Sequence, residues 1–429
     1  MLNALGLLKE RRFLPLFITQ FLGAYNDNLF KTSMVLFATY QVFNDARVES
    51  NFNALATALQ ILPFFLLSAL SGQLADGHDK ARIIRLVKAA EIFIMLVGAA
   101  GLMAARAGLE TLGIVLMLAA VLCLGVHATF FGPIKYALLP QHLKSGEVLG
   151  GTGLVEAGTY LAVLLGTVTA GWLSVEATAI TVLVIALIGW VAGRAVPPAP
   201  RMGEAVAINF NPFTSSWQLI SQTMHIRRLF LAICSISFFW AIGAVLIITF
   251  PPLVKNMLTA DKQVASLTIA IFSVGVAIGS VIINTLLSGK ISARYAPASV
   301  VAMGLLVAAF AFVARQFPSA INGHLYTVAE FAALPSAWVV IAVLFGIAIT
   351  GGMFVVPLYA FLTTTVTKDQ TARTVAANNV VNSGAMVIGA TIVISLTALG
   401  ATPDQLLFLV AILCLFAAWL AHKLHLACD

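Results

Sequence analysis

Long apolar stretches alternate along the chain with short polar turns. Twelve can be marked, at approximately 12–43, 52–75, 82–105, 111–134, 150–172, 175–195, 227–254, 264–288, 297–317, 336–361, 373–398 and 403–422. A bilayer core takes about 20 helical residues to cross, so each is long enough to span it. Lipid offers no water to unpaired backbone groups, which excludes open sheets and predicts helices. The one substantial central gap, 196–226, opens on Val196-Pro197-Pro198-Ala199-Pro200 and divides the stretches six and six. The expected fold is an all-α membrane protein of twelve transmembrane helices in two pseudo-symmetric six-helix bundles. Residues 1–195 form one bundle, 196–226 a cytoplasmic linker and 227–429 the second.

Composition agrees with this pattern. Of 429 residues 60% are hydrophobic and 10% charged, against about 25% charged in a soluble domain. The net charge of +7 first suggests a nucleic-acid partner, but its distribution argues against one. With the N terminus in the cytoplasm, 18 of the 24 lysines and arginines fall on the inner side. Five fall outside (Arg47, Arg106, Lys255, Lys262 and Arg315), and Lys31 lies within a span. That bias sets both termini inside and accounts for the basic balance. Lys9, Arg11 and Arg12 follow the first short apolar run rather than preceding it, so no cleavable signal peptide is expected. Cys123, Cys234, Cys414 and Cys428 show no metal or disulfide spacing and are expected to be packing thiols. No metal or cofactor is expected.

The first span breaks the apolar rule. Gln20–Lys31 reads QFLGAYNDNLFK and carries Asn26, Asp27, Asn28 and Lys31. A charge at bilayer depth costs roughly 2.5–3.5 kcal/mol on insertion scales, so such groups face protein or water. Asp27 and Lys31 stand at i and i+4, acid first, the favourable order for a pair on one helix face. They either neutralise each other or present a polar face to a ligand, with Asn26 and Asn28 about 100° to either side of Asp27. Asn378 and Asn382 share a face of the eleventh helix, suited to a polar ligand or to joining helices. Glu91 pairs with Lys88 or titrates, and His127 is expected to be a hydrogen-bonded structural histidine. Gly275 and Gly279 predict close helix packing. Asn211-Pro212 predicts the start of a short amphipathic helix that puts Trp217, Leu219 and Ile220 at the membrane surface.

Between the second and third spans the chain reads Gly72-Gln73-Leu74-Ala75-Asp76-Gly77-His78-Asp79-Lys80-Ala81-Arg82. Two glycines permit a tight turn, Asp76 can meet the positive N-terminal end of a helix, and the basic residues, Arg82 among them, hold the loop inside. Lys135, closing the fourth span, and Glu156, opening the fifth, suit a gating ion pair, with phosphate attraction by Lys135 as the other reading. The 72–82 loop resembles the loop between helices two and three of the major facilitator superfamily, where it acts as a conformational latch. The two halves echo each other at Phe130-Phe131-Gly132-Pro133 and Phe354-Val355-Val356-Pro357, and at Ser71-Gly72 and Ser288-Gly289.

Further stretches resemble the bacterial lysophospholipid transporters, most closely those fused to an acyltransferase and acyl-carrier-protein synthetase. These are Phe21–Lys31, Phe131–Pro140, Gly153–Ala157, Gly351–Leu358 and Ala376–Asn382. One departure stands out. Some stand-alone members carry an arginine in the seventh helix after a Phe-Trp pair, and here Phe239-Trp240 is followed by Ala241-Ile242-Gly243 with no arginine before Pro251. The resemblance implies movement of lysophosphatidylethanolamine and lysophosphatidylglycerol across the bacterial inner membrane, for reacylation by a cytoplasmic acyltransferase. Its substrate site would draw on Asp27, Lys31, Asn26, Asn28, Asn378 and Asn382, and its gate on Asp76, Arg82, Lys135 and Glu156. Two other readings stay open: a proton-coupled exporter working through Asp27 or Glu91, and a membrane anchor for an acyltransferase. No phosphate-binding loop, HxxxxD pattern or nucleophile–base cluster supports catalysis.

Overall fold

The computed structural model describes residues 6–144, 147–200, 209–287, 292–320, 323–364 and 368–428. Among them the chain is helical, with one isolated bridge between Ala260 and Tyr326. The helices are α1 (Leu14–Phe37), α2 (Ala46–Gly77), α3 (Lys80–Arg106), α4 (Glu110–His142), α5 (Val148–Trp172), α6 (Val175–Arg194) and α7 (Pro212–Met224). They continue as α8 (Arg227–Asn256), α9 (Lys262–Leu286), α10 (Ala296–Arg315), α11 (Val328–Ala333), α12 (Pro335–Thr364), α13 (Lys368–Ala398) and α14 (Pro403–Cys428). Ten are long and apolar enough to cross a membrane. The remaining two long helices are α1, whose polar stretch lowers its apolarity, and α5; with them the number matches the twelve stretches of the sequence.

Two compact units emerge, Met1–Phe37 with Leu66–Ser215, and Ala38–Phe65 with Ser216–Asp429. The break near the linker was expected. The membership of Ala38–Phe65 was not, and its side chains give the reason. Beyond α1 the chain makes one π-helical turn, Ala38–Val42, and the Tyr40 hydroxyl donates to the carbonyls of Ala260 (2.9 Å) and Asp261 (3.2 Å). Buried Glu49 accepts from Lys255 Nζ (2.5 Å) and Asn256 Nδ2 (2.6 Å) at the end of α8. Lys255 Nζ also donates to the carbonyls of Thr39 and Phe43. A carboxylate with two donors, and an ammonium with three acceptors, satisfy the groups that burial would otherwise penalise.

In the first unit α1 packs on α5 and α6, and α3 on α4 and α6; in the second, α8 packs on α13 and α14, and α12 on α9 and α10. The expected small-residue contact on α9 is present. A Cβ added at Gly279 would lie 2.0 Å from the Ile349 carbonyl oxygen, and one at Gly352 2.3 Å from that of Val276. Backbone meets backbone there, which only glycine allows.

The proline-rich start of the linker is pinned rather than loose. Ala199 accepts from Lys80 N (3.0 Å) and donates to Asp79 Oδ1 (3.2 Å), while Arg85 donates to the Val196 carbonyl (3.0 Å). Asp79 also caps α3 through the N–H groups of Ala81 and Arg82. Helix α7 begins as predicted, with the Asn211 side chain accepting from Phe213 N and Thr214 N. Ser215, Ser216 and Thr223 are buried on α7, while Phe213 and Trp217 are exposed and Leu219 and Ile220 half-buried. An outward aromatic face suits a lipid surface. The Ser71-Gly72 echo cannot be followed, because Ser288 and Gly289 lie outside the described residues.

Candidate functional site

The polar stretch of α1 faces the interior of the first unit. Asn26 is fully buried, and its Nδ2 donates to Glu91 Oε1 on α3 and to the Val182 carbonyl on α6, both at 3.1 Å. Glu91 is also fully buried and pairs through Oε2 with Lys88, three residues earlier on α3. Lys88 is equally buried, and small neighbours give it room. A Cβ at Gly189 of α6 would lie 2.9 Å from Lys88 Nζ, one at Gly23 of α1 3.4 Å from the same atom, and one at Gly193 3.3 Å from Lys88 Cγ. Three glycines on two helices thus form the slot that holds the ammonium against Glu91.

From α4, His127 Nε2 comes within 3.2 Å of Glu91 Oε2. The alignment is not that of a hydrogen bond, and neither ring nitrogen has a hydrogen-bond partner. The ring lies parallel to Phe131, centroids 6.1 Å apart. His127 is buried, with its ring against Phe131 and its Nε2 facing Glu91. Asp27 is part-exposed, but its Oδ1 is buried and unpartnered among the described residues, and the ionisable groups of the neighbouring helices nearest in effect are His127, Glu91 and Lys88.

Lys31 stands apart. Half-buried, it makes no ion pair or hydrogen bond among the described residues. The i, i+4 pair with Asp27 does not form. Four methylenes let the lysine head leave the line of the acid. Asn28 donates to the Ala24 carbonyl of its own helix (2.8 Å), beside Gly166 of α5.

In the second unit, Asn382 Oδ1 accepts from Ser237 on α8 (2.7 Å), and its Nδ2 lies 3.4 Å from the Tyr359 hydroxyl on α12, which also accepts from Trp240 Nε1 (2.7 Å). Asn382 thus joins three helices. Asn378, one turn earlier, is fully buried with neither amide atom partnered.

Of the gate residues, Arg82 is exposed on the first turn of α3 and Lys135 half-buried on α4. Asp76 and Glu156 lie in α2 and α5, with side chains outside the described set. An ion pair that sequence reasoning missed stands near them in the chain. Arg12 meets Glu147 through both terminal nitrogens (2.9 and 3.0 Å), and that contact holds the Glu147 carboxyl below its ordinary range. The Lys88–Glu91 pair was weighed from the sequence, but its glycine slot was not. The available signal was Gly189-x-x-x-Gly193 on a helix able to face a lysine within a span.

Comparison with known proteins places these features in a wider set. The family model described as the Major Facilitator Superfamily matches residues 16–390. A protein of Cronobacter sakazakii named "Lysophospholipid transporter LplT" is 24% identical over 385 residues, covering 88% of this chain and 85% of that one. The protein of the same name from Serratia proteamaculans is 25% identical over 371 residues, covering 83% and 80%. Among solved structures, a bacterial homologue of the iron transporter ferroportin aligns with a TM-score of 0.69 at 12% identity, over 97% of this chain and 98% of that one. A bacterial homologue of the human lysosomal transporter Spinster aligns at 0.66 and 13%, over 98% of each. At such identities the structural likeness speaks for the fold.

Proposed function

The chain belongs to the major facilitator superfamily, and from that premise we propose that it moves lysophospholipids across the bacterial inner membrane by alternating access. The observation that carries this reading is Lys31, a half-buried cation within α1 with no ion pair among the described residues, in a chain whose relatives over most of its length are named lysophospholipid transporters. An ammonium at that depth is costly without an anion. A lysolipid phosphate supplies one, as a charge-assisted partner. Asp27, part-exposed, meets the ammonium or hydroxyls of the head group, and the single acyl chain stays in lipid or along apolar helix faces. Within the second unit, Asn378 is buried with neither amide atom partnered among the described residues, a polar group suited to a head group.

Around this site the remaining sequence expectations form one scheme. Two six-helix bundles carry the cycle, both termini face the cytoplasm, and α7 lies on the inner membrane surface with Phe213 and Trp217 toward lipid. Asp76, Arg82, Lys135 and Glu156 latch the cytoplasmic side, with Arg12–Glu147 close by in the chain. A cytoplasmic acyltransferase or acyl-carrier-protein synthetase consumes the delivered lysolipid. The test is uptake of labelled lysophosphatidylethanolamine by cells expressing Asp27→Ala. Reduced uptake at normal expression is expected, and wild-type uptake removes Asp27 from the site.

A further inference from the structure

The charges on α1, α3 and α4 do not balance. Asp27 and Glu91 are acids, Lys88 is the one cation set against them, and His127 is neutral unless it takes a proton. The four groups therefore carry one net negative charge inside the apolar first unit. Lys31 makes no ion pair with either carboxylate among the described residues. Helix α6 brings only a carbonyl, that of Val182, and glycine backbone to the cluster. Its own charges are Glu176, paired with Arg106, and Arg194, over the Trp190 ring. On α5 the one ionisable acid, Glu156, has its side chain outside the described residues. The next charge on α4 beyond His127 is Lys135, eight residues on.

The cluster is also unsatisfied as a hydrogen-bonding system. Both ring nitrogens of His127, Asn26 Oδ1 and Asp27 Oδ1 are buried without partners. Asn26 and His127 are each more than nine-tenths buried. An imidazole whose Nε2 stands 3.2 Å from one carboxylate, near a second carboxylate with a bare oxygen, is arranged to receive a proton. One proton removes the net charge and supplies the missing donor. A metal cation fits less well, because Lys88 and Asn26 already donate to both oxygens of Glu91.

We propose that Asp27, Glu91, Lys88 and His127 form a one-proton site, and that this proton is exchanged for the ammonium of an ethanolamine head group. The exchange rests on the lysolipid reading above; the proton site does not. Either cation brings the cluster to neutrality, and both use Asp27, so they exclude each other. The lipid ammonium enters against Asp27, the proton leaves to water, and on the opposite face a proton from solution returns as the lipid departs. Lysophosphatidylethanolamine then collects on the acidic side of the membrane. A symporter would collect it on the alkaline side.

The experiment uses the whole protein in liposomes with an imposed pH difference, reading the leaflet distribution of labelled lysophosphatidylethanolamine by albumin extraction. With the membrane potential clamped at zero, since a zwitterion exchanged for a proton moves net charge, one-for-one exchange shifts the ratio toward the acidic side by about tenfold per unit of pH difference, the 1.36 kcal/mol equivalent of one proton. Lysophosphatidylglycerol, which has no ammonium, shows no such shift. A ratio indifferent to pH, a shift toward the alkaline side, or an equal shift for both lipids overturns the exchange. Infrared titration of the lipid-free protein reads the proton site separately. A one-proton transition in the carboxyl or imidazole bands is expected, removed by His127→Gln and by Asp27→Asn. A wild-type protein without that transition overturns the site, whatever the variants do. If neither lipid moves, the transport reading fails while the titration still decides the proton site.

Discussion

Replacing Lys88 with methionine should destabilise the first unit far more than the loss of a surface lysine. The side chain is 1% exposed and that of its partner Glu91 fully buried, so water cannot take over when the ammonium goes. Methionine keeps the length of the stem, and the glycines at 23, 189 and 193 that make room for it stay in place, so packing changes little. The charge is what is lost. Removing one member of a buried pair costs about 3–5 kcal/mol, because the other is left uncompensated. A whole domain is stable by only about 5–15 kcal/mol. The double variant Lys88→Met/Glu91→Gln removes both charges, keeps an amide oxygen for Asn26 Nδ2, and should recover most of the loss. The assay is the thermal unfolding midpoint of the detergent-purified protein at one fixed scan rate, against the exposed-site control Arg82→Gln. The reasoning fails if Lys88→Met melts with that control, or if the double variant falls by the sum of its two singles, since groups in contact should not add.

Three further outcomes follow from the packing and the end clusters. Gly279→Ala would set a methyl 2.0 Å from the Ile349 carbonyl oxygen; neither backbone can give way, so the variant should fail to accumulate as folded protein by fluorescence size-exclusion, and wild-type yield would contradict the α9–α12 contact. Glu49→Gln should cost about 1.5–3 kcal/mol, the worth of a hydrogen bond to a charged group, and lower the unfolding midpoint; a midpoint equal to wild type would remove the Lys255–Glu49–Asn256 cluster from the account. The Glu330 carboxyl is held down at about 2 by the Thr327 amide, with His324 and the Thr327 hydroxyl adding to it. A depressed acid stabilises above its ordinary value of 4.5 and loses that contribution as pH falls through about 2, so at neutral pH Glu330→Gln should speed amide exchange across 327–333, and unchanged exchange would argue against the cap.

Much of the fold was legible because its governing rule is coarse. Lipid demands paired backbone, and length and apolarity mark where it is crossed. Asn211 as a cap and Gly279 as a contact could be read for similar reasons, since each works through backbone geometry that the residue type nearly dictates. The site was less legible. Asn26, Asp27 and Lys31 announced themselves by polarity, but not their directions. The i, i+4 rule describes an isolated helix, and here α3 and α4 bring ionisable groups of their own, Lys88, Glu91 and His127, into the interior that α1 faces. Lys88 and His127 acquire meaning only once Gly23, Gly189 and Gly193 bring α1 and α6 onto α3, a tertiary fact with no local signature. The grouping of Ala38–Phe65 with the second unit has the same cause, because Glu49 and Lys255 stand far apart in sequence and their ordinary residue types do not advertise the contact.

The most direct test is lysolipid movement by the purified protein alone. Liposomes carrying it should transfer labelled lysophosphatidylethanolamine between leaflets, where protein-free liposomes do not. Lys31→Gln, which removes the charge-assisted contact to phosphate worth about 1.5–3 kcal/mol, should slow transfer by roughly tenfold to a hundredfold while the protein stays folded. Folded wild-type protein that leaves the lysolipid where it was, or Lys31→Gln transferring at the wild-type rate, would contradict the account.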